Sequence, residues 1–446
     1  MSHYISITAT ERAEMLAAVG VADTADLFID VPVEKRFPWL DLPAPMSEPE
    51  LVRELLAMSG QNAHALAQSI FLGAGAYNHF VPAAVDQILR RGEFYTAYTP
   101  YQPEISQGTL QSIFEYQSLI CSLTGMEIAN ASHYDGATAI AEAAIMALNV
   151  ARGRRKIVVA RSVNPQYRAV LRTYLQALDD VTVTGDETPD AGIDEALALV
   201  DDQTALLIVQ SPDFLGRLHD LRGLAEQVQA QGALLCVHFD PIALGLFQTP
   251  GELGADIATA EGQPLGIGLN FGGPYLGIFT TKQKHVHKIA GRIVGVTKDV
   301  DGQLAYVLTL RAREQDIRRE RATSNICTNQ ALMALAATVY MSLMGKQGMR
   351  QVAELCYHRA HYAAAAIAQL PGYRLLSDGP FFKEFAVGLP RPAAEVNAAL
   401  RAQGIVGGYD LAADEPQLGD AMLLAVTEMN SRADIDRLVG VLRDVG

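Results

Sequence analysis

Short apolar runs alternate with longer stretches of helical periodicity through the middle of the chain. The runs KIVVAR from 156, VTVTG from 181, TALLIVQSP from 204 and ALLCVHFD from 233 predict strands. The stretches between or before them predict helices at 107–124, 136–152, 165–177, 193–200 and 218–231. Apolar strands bounded by helices are typical of a mostly parallel sheet covered on both faces. The pattern therefore predicts an α/β fold, with a large α/β domain at residues 71–327.

The pattern changes on both sides of this domain. Before it, the segments Thr8–Glu11 and Ser47–Glu50 match the capping box that begins a helix, so residues 1–70 are expected to form a helical arm. Such an arm wraps a neighbouring chain or packs on its own domain, and the sequence leaves both open. After it, a long predicted helix at 328–369 leads into short strands and helices, which indicates a smaller α/β domain at 328–446.

Composition and charge narrow the range of functions. The 446 residues are 49% hydrophobic, and the net charge of −15 makes nucleic acid or an anionic membrane an unfavourable partner. No apolar run reaches the roughly 18 residues of a membrane-spanning helix, and the first residues lack the pattern of a secretion signal. The four cysteines show no metal-ligand spacing, which favours free thiols and no metal site. We expect a cytoplasmic protein.

The predicted strand at 233–240 ends in Asp240, and open α/β sheets bind ligands at the carboxyl ends of their strands. Further along, the chain passes through Gln263 to a turn with Gly-Gly-Pro at 272–274. In many enzymes that use pyridoxal phosphate, an acid at such a strand end pairs with the pyridinium nitrogen and a lysine in the following turn forms the Schiff base. A glutamine cannot form a Schiff base. The alternative is that Asp240 only caps the turn beside Pro241.

The segment from Asp135 to Thr138 is a second candidate part of a cofactor site. Its small residues, with Gly136 and Ala137 among them, open a predicted helix, and the free N–H groups of a helix start bind anions such as a cofactor phosphate. An ordinary helix start with Asp135 as N-cap explains the same residues and is favoured by the spacing alone. His238, near the end of its strand, could stack on a flat ring, or be a histidine satisfied in the core.

A motif rich in tyrosine, FYTAYTPYQPE, places Tyr95, Tyr98 and Tyr101 at intervals of three residues. Its two prolines disfavour a helix and favour the polyproline II conformation, which has three residues per turn. The three phenols would then line one face, next to Thr96 and Gln102. Tyrosines combine an apolar ring with a polar tip and suit the wall of an active site, whereas packing of a loop on the core is the alternative.

Two other segments are weaker candidates. The loop FLGAGAYNHFVP from 71 offers Asn78 and His79 as exposed polar residues, which matter only if the loop faces a ligand. The run RAREQDIRRERATSNICTNQ from 311 alternates arginines with acids, most of which should form surface ion pairs of little energetic value. One of these arginines could bind a substrate carboxylate in bidentate fashion, and the spacing does not decide which.

These segments together resemble one known family. The motifs that carry the resemblance are GAGAYNH (73–79), FYTAYTPYQPEISQGTLQSIFEYQ (94–117), LTGMEIANASHYDGATAIAEA (123–143), FGGPYLG (271–277) and REQDIRRERATSNICTNQAL (313–332). They are similar to the glycine cleavage system P-protein, and more narrowly to subunit 1 of its two-chain form, glycine dehydrogenase (decarboxylating). The resemblance extends from the N-terminal arm to the C-terminal domain.

The resemblance implies the fold type I architecture of pyridoxal-phosphate enzymes and a pair of unlike subunits, doubled to α2β2. The implied reaction is decarboxylation of glycine with pyridoxal phosphate as electron sink, followed by transfer of the aminomethyl group to the lipoyl arm of the H-protein. P-protein subunit 2, lipoylated H-protein and glycine are the implied partners. Subunit 2 would carry the cofactor lysine, and counting back from the shared Gly-Gly-Pro puts that lysine at Gln263 in this chain.

Two groups of residues follow from this interpretation. One is a set expected to complete the pocket of the partner subunit: Tyr95, Thr96, Tyr98, Tyr101, Gln102, Asn78 and His79. The other is a set expected to form a vestigial cofactor site: Asp135, Gly136, Ala137, Thr138, His238, Asp240 and Gln263.

Two alternatives to this interpretation stay open. A self-sufficient pyridoxal-phosphate enzyme would use another lysine, and Lys282 and Lys284 are the nearest candidates, although they lie 42 and 44 residues past Asp240. A purely structural scaffold subunit would stabilise the second chain and contribute no residue to substrate binding.

Overall fold

Helices and strands alternate along the chain as the apolar pattern predicts. The computed structural model describes residues 6–65, 67–151, 153–189, 191–377 and 379–446. The helices are α1 (Ala9–Val19), α2 (Glu48–Ser59), α3 (Ala83–Leu89), α4 (Gly92–Tyr95), α5 (Gln107–Thr124), α6 (Gly136–Val150), α7 (Pro165–Leu175), α8 (Ile193–Ala198), α9 (Leu224–Ala230), α10 (Gln315–Arg318), α11 (Ala331–Ile367), α12 (Ala393–Ala402) and α13 (Arg432–Val445). Of these described helices, none is long and apolar enough to cross a membrane.

The strands are short and most are buried. They are β1 (Ser69–Ile70), β2 (Ile128–Ala129), β3 (Lys156–Val159), β4 (Thr182–Thr184), β5 (Thr204–Ser211), β6 (Leu234–Phe239), β7 (Ile257–Glu261), β8 (Gly277–Thr281), β9 (Ile293–Lys298), β10 (Leu304–Thr309), β11 (Arg374–Leu375), β12 (Glu384–Gly388), β13 (Ile405–Val406), β14 (Tyr409–Asp410) and β15 (Ala421–Ala425).

The chain divides into two units, Met1–Ala63 and His64–Gly446. Both helices of the first unit begin with the capping boxes that the sequence predicts, at Thr8 and at Ser47. Neither α1 nor α2 has a buried side chain. The second unit contains both predicted α/β regions, and a domain boundary near 327 stays a prediction.

Seven strands form the central sheet of the second unit, in the order β2-β8-β7-β6-β5-β3-β4. Strands β7, β6, β5, β3 and β4 are parallel, whereas β8 runs antiparallel between β7 and β2. The predicted mostly parallel α/β sheet is therefore confirmed. Because parallel strands end at the same edge, the residues that follow β6 and β7 are neighbours there.

The apolar runs of the sequence form the core of this sheet. In β5 and β6, residues such as Leu206, Ile208 and Leu235 have no exposed surface, because helices cover both faces of the sheet. Helix α6 crosses one face with a nearly continuous row of buried small and apolar residues. Burial of each large aliphatic side chain contributes about 1.5–3 kcal/mol to folding.

A second sheet lies in the C-terminal part of the same unit. Its strands have the order β11-β12-β15-β14 and are antiparallel. The long predicted helix before it is α11, which is broken at Gly345, where φ is 57°. Strand β12 begins immediately after Lys383, so this residue sits at the start of a buried strand.

The loop after β5 connects the central sheet to the C-terminal sheet. Phe382 N donates to Gly216 O at 3.1 Å, and Leu218 N donates to Pro380 O at 2.8 Å. Gly216 has φ 84°, and a Cβ atom there would overlap the backbone carbonyl of Glu384. Only glycine therefore allows both the turn and the close approach of the two sheets.

Gly216→Ala is expected to lower the stability of the chain by more than backbone strain alone. A matched control is Gly223→Ala, because Gly223 has φ 79° and open space around the missing Cβ. The control should lose about 1–2 kcal/mol from the left-handed backbone, and Gly216→Ala about 1–3 kcal/mol more from the overlap. Urea unfolding midpoints measure the difference, and equal midpoints would contradict the steric argument.

Candidate functional site

The carboxylate of Asp240 forms a buried ion pair at the edge of the central sheet. Its Oδ1 accepts a hydrogen bond from Ile242 N at 2.8 Å. Asp240 therefore caps the turn, as one of the two interpretations of the sequence predicts. Its Oδ2 lies 2.7 Å from Nζ of Lys383, whose side chain is 2% exposed. Burial alone raises the pKa of Asp240, but the ammonium of Lys383 outweighs it and holds the pKa below the usual value.

Lys383 is surrounded by acceptors that come from different parts of the chain. Besides Asp240, its Nζ lies 3.0 Å from His79 Nε2 and 3.6 Å from the ring centroid of Tyr77. An ammonium can only donate, so His79 Nε2 accepts and the proton on Nδ1 donates to Glu428 Oε2 at 2.7 Å. Burial, and then the charge of Lys383, lower the pKa of His79, which keeps the ring neutral.

His79, Cys356 and Glu428 also place three metal-ligand atoms within 4.8 Å of one another. These atoms already have partners, since Cys356 Sγ donates to Glu428 Oε2 at 3.3 Å and His79 bonds to both Glu428 and Lys383. The ammonium next to the imidazole supplies the positive charge that a metal ion would bring. These hydrogen bonds account for the close approach of the three side chains.

The start of helix α6 accepts a carboxylate from the protein itself. Gly136 N donates to Glu261 Oε2 at 2.9 Å, while Gln263 N and Leu276 N donate to Glu261 Oε1 at 2.9 and 3.1 Å. Asp135 is the N-cap and accepts from Thr138 N at 2.8 Å, as the ordinary helix-start reading expects. Burial raises the pKa of Glu261 to about 8, against the three N–H groups that lower it. Glu261 lies where the helix start would bind an external anion.

Gln263, at the position where a lysine would be required, is fully buried and its amide is fully used. Its Nε2 donates to Tyr77 O at 2.9 Å and to Ile267 O at 2.7 Å, and its Oε1 accepts from Tyr77 N at 2.9 Å. His238 is a satisfied core histidine, with Nδ1 3.0 Å from Thr259 Oγ1. Burial lowers the pKa of His238 to about 3. Both side chains therefore serve the packing of this edge.

The space that remains between these groups is small. A cavity of about 40 Å³ lies among residues that include Tyr77, His238, Asp240, Glu261 and Lys383. It has room for about three water molecules, which is less than a substituted pyridine ring and its phosphate need. An external phosphate would also meet the carboxylate of Glu261 at the helix start, and a pyridinium nitrogen would have to displace Lys383.

Lys282 and Lys284 lie at the opposite edge of the sheet. Thr281 pairs with Ile257, the first residue of β7, whereas Asp240 and Glu261 mark the other ends of β6 and β7. Lys282 Nζ is 2.9 Å from Asp256 Oδ1, and Lys284 Nζ is 3.4 Å from the same atom. The geometry therefore removes both lysines as Schiff-base candidates for this edge.

The tyrosine motif is partly exposed, but its backbone is not the predicted extended helix. Residues Gly92–Tyr95 form helix α4, in which the carbonyl groups of Arg91 and Gly92 accept hydrogen bonds from the backbone N–H groups of the next turn. This turn ends before the first proline of the motif. Thr96 caps α4 through its hydroxyl to Gly92 O, and Gln102 is exposed. The expectation of one polyproline II face over all three tyrosines is wrong. We call Tyr95, Thr96, Tyr98, Tyr101 and Gln102 the tyrosine surface.

Two of the three tyrosines pack together. The rings of Tyr98 and Tyr101 lie edge to face with centroids 6.5 Å apart. Tyr95 is 59% exposed and Tyr98 is 74% exposed, whereas Tyr101 is 37% exposed. Exposed aromatic side chains that lie side by side, as Tyr98 and Tyr101 do, are typical of an interaction surface.

Tyr101 is held by two arginines. Its hydroxyl accepts from Arg292 Nη2 at 3.0 Å, and the guanidinium carbon of Arg311 lies 4.8 Å from its ring centroid. Arg292 is buried and ion-paired with Glu314, and Arg311 pairs with Asp316 at 2.5 Å. The two cations therefore anchor the tyrosine surface at Tyr101, on which Tyr98 packs.

The loop at 73–79 does not expose His79, contrary to the sequence expectation. Glu384 accepts from Ala74 N and from Tyr77 Oη, both at 2.7 Å, and draws the loop onto the C-terminal sheet. His79 is thereby buried against Lys383, and the carbonyl of the half-buried Asn78 accepts from Thr427 Oγ1 at 2.6 Å. Neither residue adjoins the tyrosine surface by any of these contacts.

Sequence reasoning missed the groups that fill the sheet edge. Lys383 stands inside the apolar run FFKEF, and a charge inside a buried strand needs a partner. Glu261 ends the apolar strand β7 in the same way. Both charged residues could be recognised in the sequence. Their partners, Asp240 for Lys383 and Gly136 for Glu261, could not, because they lie far away along the chain.

Comparisons with known proteins agree with this architecture. The chain matches the glycine cleavage system P-protein family over residues 2–442. A probable glycine dehydrogenase (decarboxylating) subunit 1 of Thermomicrobium roseum is 56% identical over 439 residues, which cover 98% of both chains. A protein of the same description from Moorella thermoacetica is 50% identical over 447 residues and 99% of each chain.

Solved structures give the same result for the fold. A crystal structure of glycine decarboxylase (P-protein) of the glycine cleavage system, in inhibitor-bound form, has a TM-score of 0.94 and 42% identity over the whole of both chains. The sphingosine-1-phosphate lyase of Burkholderia pseudomallei, with a TM-score of 0.64 and 16% identity over 92% of this chain and 93% of its own, shares the fold alone. The architecture is therefore that of the fold type I pyridoxal-phosphate enzymes, and the chain belongs to the glycine cleavage system P-protein family.

Proposed function

We propose that this chain is the subunit without a cofactor lysine in a two-chain glycine dehydrogenase (decarboxylating). Together with P-protein subunit 2 it decarboxylates glycine and transfers the aminomethyl group to the lipoyl arm of the H-protein. Pyridoxal phosphate, carried by subunit 2, supplies the electron sink for this chemistry. The chain's own part is to complete the pocket of that subunit.

One observation carries the proposal: groups of the protein itself occupy the helix start, pair with the strand-end acid and stand at the lysine position of the sheet edge. The carboxylate of Glu261 lies at the helix start, Lys383 neutralises Asp240, and Gln263 replaces the lysine. The N–H group of the helix start and the carboxylate of Asp240 already have partners within the chain, so they are not available to an anionic cofactor. We therefore interpret Asp135–Thr138, His238, Asp240 and Gln263 as a vestigial cofactor site.

The tyrosine surface supports a role beyond scaffolding. Tyr95 and Tyr98 are largely exposed, while Tyr101 is fixed by Arg292 and Arg311. A surface with one anchored and two exposed phenols can present hydroxyl groups to a pocket of another chain. We propose that it faces the site of subunit 2 in an α2β2 assembly, with lipoylated H-protein as the further partner, in the cytoplasm.

Titration of the purified chain with pyridoxal phosphate, followed by borohydride reduction and mass spectrometry, tests the cofactor assignment. We expect no stoichiometric adduct, because the lysine of the sheet edge, Lys383, is buried in an ion pair. The same titration after addition of subunit 2 should label that subunit alone. A stoichiometric adduct on any lysine of this chain would overturn the assignment.

The variant Gln263→Lys tests whether the missing lysine alone prevents cofactor binding, or whether other side chains of the site prevent it as well. Gln263→Lys is expected to form no adduct either, because Glu261 and Lys383 still occupy the helix start and Asp240. Adduct formation by this variant would mean that the missing lysine alone keeps the cofactor out.

Tyr95→Phe and Tyr98→Phe test whether the tyrosine surface contributes to turnover. Loss of one hydroxyl that bonds in the transition state costs about 1.4 kcal/mol, so each variant should reduce kcat of the assembled enzyme at least about tenfold. The two chains should still co-elute, since the rings remain. A matched control is Tyr362→Phe, whose hydroxyl donates to Asp436 at 2.6 Å elsewhere in the unit. Full activity of both variants would favour the scaffold alternative.

Asp240→Asn is expected to destabilise the chain rather than slow the reaction. It leaves Lys383 buried without a countercharge, which costs about 3–5 kcal/mol. The double variant Asp240→Asn/Lys383→Met should regain most of that loss, because it removes the unpaired charge. Thermal unfolding of the single and double variants measures the coupling, with turnover of the assembled enzyme measured alongside. A large loss of turnover in a stably assembled Asp240→Asn enzyme would refute a vestigial role.

A further inference from the structure

The first unit of the chain, Met1–Ala63, carries an unusual concentration of exposed apolar side chains. This unit corresponds to the predicted N-terminal arm and holds about one seventh of the chain. Nearly half of the large apolar side chains that are exposed among the described residues belong to it. Single apolar residues are ordinary on a protein surface, but a concentration of this kind marks a surface that another molecule covers.

The arm has ordered helices although it has no core of its own. No side chain of its described part, residues 6–63, is buried. Its helices α1 and α2 have 11 and 12 residues, and helices of this length are marginal in water by themselves. Burial of apolar surface has to offset the conformational entropy that the arm loses on ordering. A partner that covers the arm would supply that burial.

Helix α2 gathers its exposed apolar side chains on one face. Leu51, Leu55 and Met58 follow one another at intervals of four and three residues, and Val52 and Leu56 lie beside them. These five side chains are between 46% and 67% exposed. The charged side chains of the helix lie on the opposite face. An amphipathic helix of this kind binds by placing its apolar face in a groove of another protein.

The proline-rich segment FPWLDLPAPM at 37–46 adds an aromatic anchor. Trp39, the single tryptophan of the chain, is 91% exposed, and Leu40 and Leu42 next to it are exposed as well. The segment forms no helix or strand, and its three prolines restrict the backbone before any partner binds. Less entropy is therefore lost on binding. Tryptophan is also among the residues that contribute most to the affinity of interfaces.

Charge favours an unlike chain over a second copy of this chain as the partner. The arm contains ten acidic and four basic residues, a net charge of −6, and the rest of the chain carries the other −9 of the total of −15. An arm docked on a second copy would meet a surface of its own sign, which is unfavourable. The relatives from Thermomicrobium roseum and Moorella thermoacetica are both described as a subunit 1, which implies a second, unlike subunit.

We propose that the N-terminal arm docks in an apolar groove of subunit 2, with Trp39 and the apolar face of α2 as its anchors. The inference rests on the proposed function, which supplies the partner. It assigns assembly of the two chains to the arm, whereas the proposed function assigns a contribution to turnover to the tyrosine surface.

Isothermal titration of the full chain with subunit 2 tests the docking surface. Trp39→Ser and Leu55→Asp should each raise the Kd of the pair about tenfold or more, because a large apolar contact is lost. Both side chains are exposed, so neither substitution removes packing that the fold of this chain needs. A matched control is Val300→Ser, an exposed apolar residue in the turn between β9 and β10, which should leave the Kd unchanged.

Trp39 also reports docking directly, because the chain has no other tryptophan. With 5-fluorotryptophan incorporated in this chain alone, its fluorine resonance should shift when unlabelled subunit 2 is added, since the indole ring leaves water. The Val300→Ser chain should show the same shift.

The outcomes separate this inference from the proposed function. If the unaltered chains bind each other, the arm variants bind as tightly as the control and the resonance does not shift, the docking surface is wrong and the proposed function stands. If the unaltered chains do not bind each other, the proposed function fails and the inference with it. A dimer of this chain alone that Trp39→Ser dissociates would identify a second copy as the occupant and overturn the proposal.

Discussion

The buried ion pair between Asp240 and Lys383 is the contact on which the arrangement of the sheet edge depends. The side chain of Lys383 is 2% exposed, and the hydration that its ammonium group loses on burial must be offset by several acceptors at once. Asp240 supplies the charge, His79 the lone pair and Tyr77 the ring face. Since Lys383 precedes β12 and Asp240 follows β6, the same pair joins the C-terminal sheet to the central sheet.

The polar groups at the sheet edge of this chain need partners wherever they are buried. The N–H groups of a helix start need an acceptor, and a carboxylate at a strand end needs a cation. Here Glu261 meets the first need and Lys383 meets the second. This internal pairing supports the proposal that the chemistry is completed in another subunit of the enzyme.

The arginine cluster near Tyr101 is a second place where buried charges fix the structure. Arg292 and Glu314 are buried as a pair, and Tyr101 is positioned by that pair rather than by packing alone.

Much of the fold followed from local pattern: the apolar strands, the N-cap Asp135 and the absence of a lysine at Gln263 are properties of short segments and could be predicted. The polyproline II reading of the tyrosine motif failed because a helical turn at Gly92–Tyr95 forms before the prolines begin. The partners of Lys383 and Glu261 could not be predicted, since they come from segments far apart along the chain. By itself the sequence determined which elements form and that this chain cannot form a Schiff base at Gln263. Only the tertiary structure decided which charges fill the sheet edge, because long-range pairing of buried charges depends on how the sheets pack and not on neighbours along the chain.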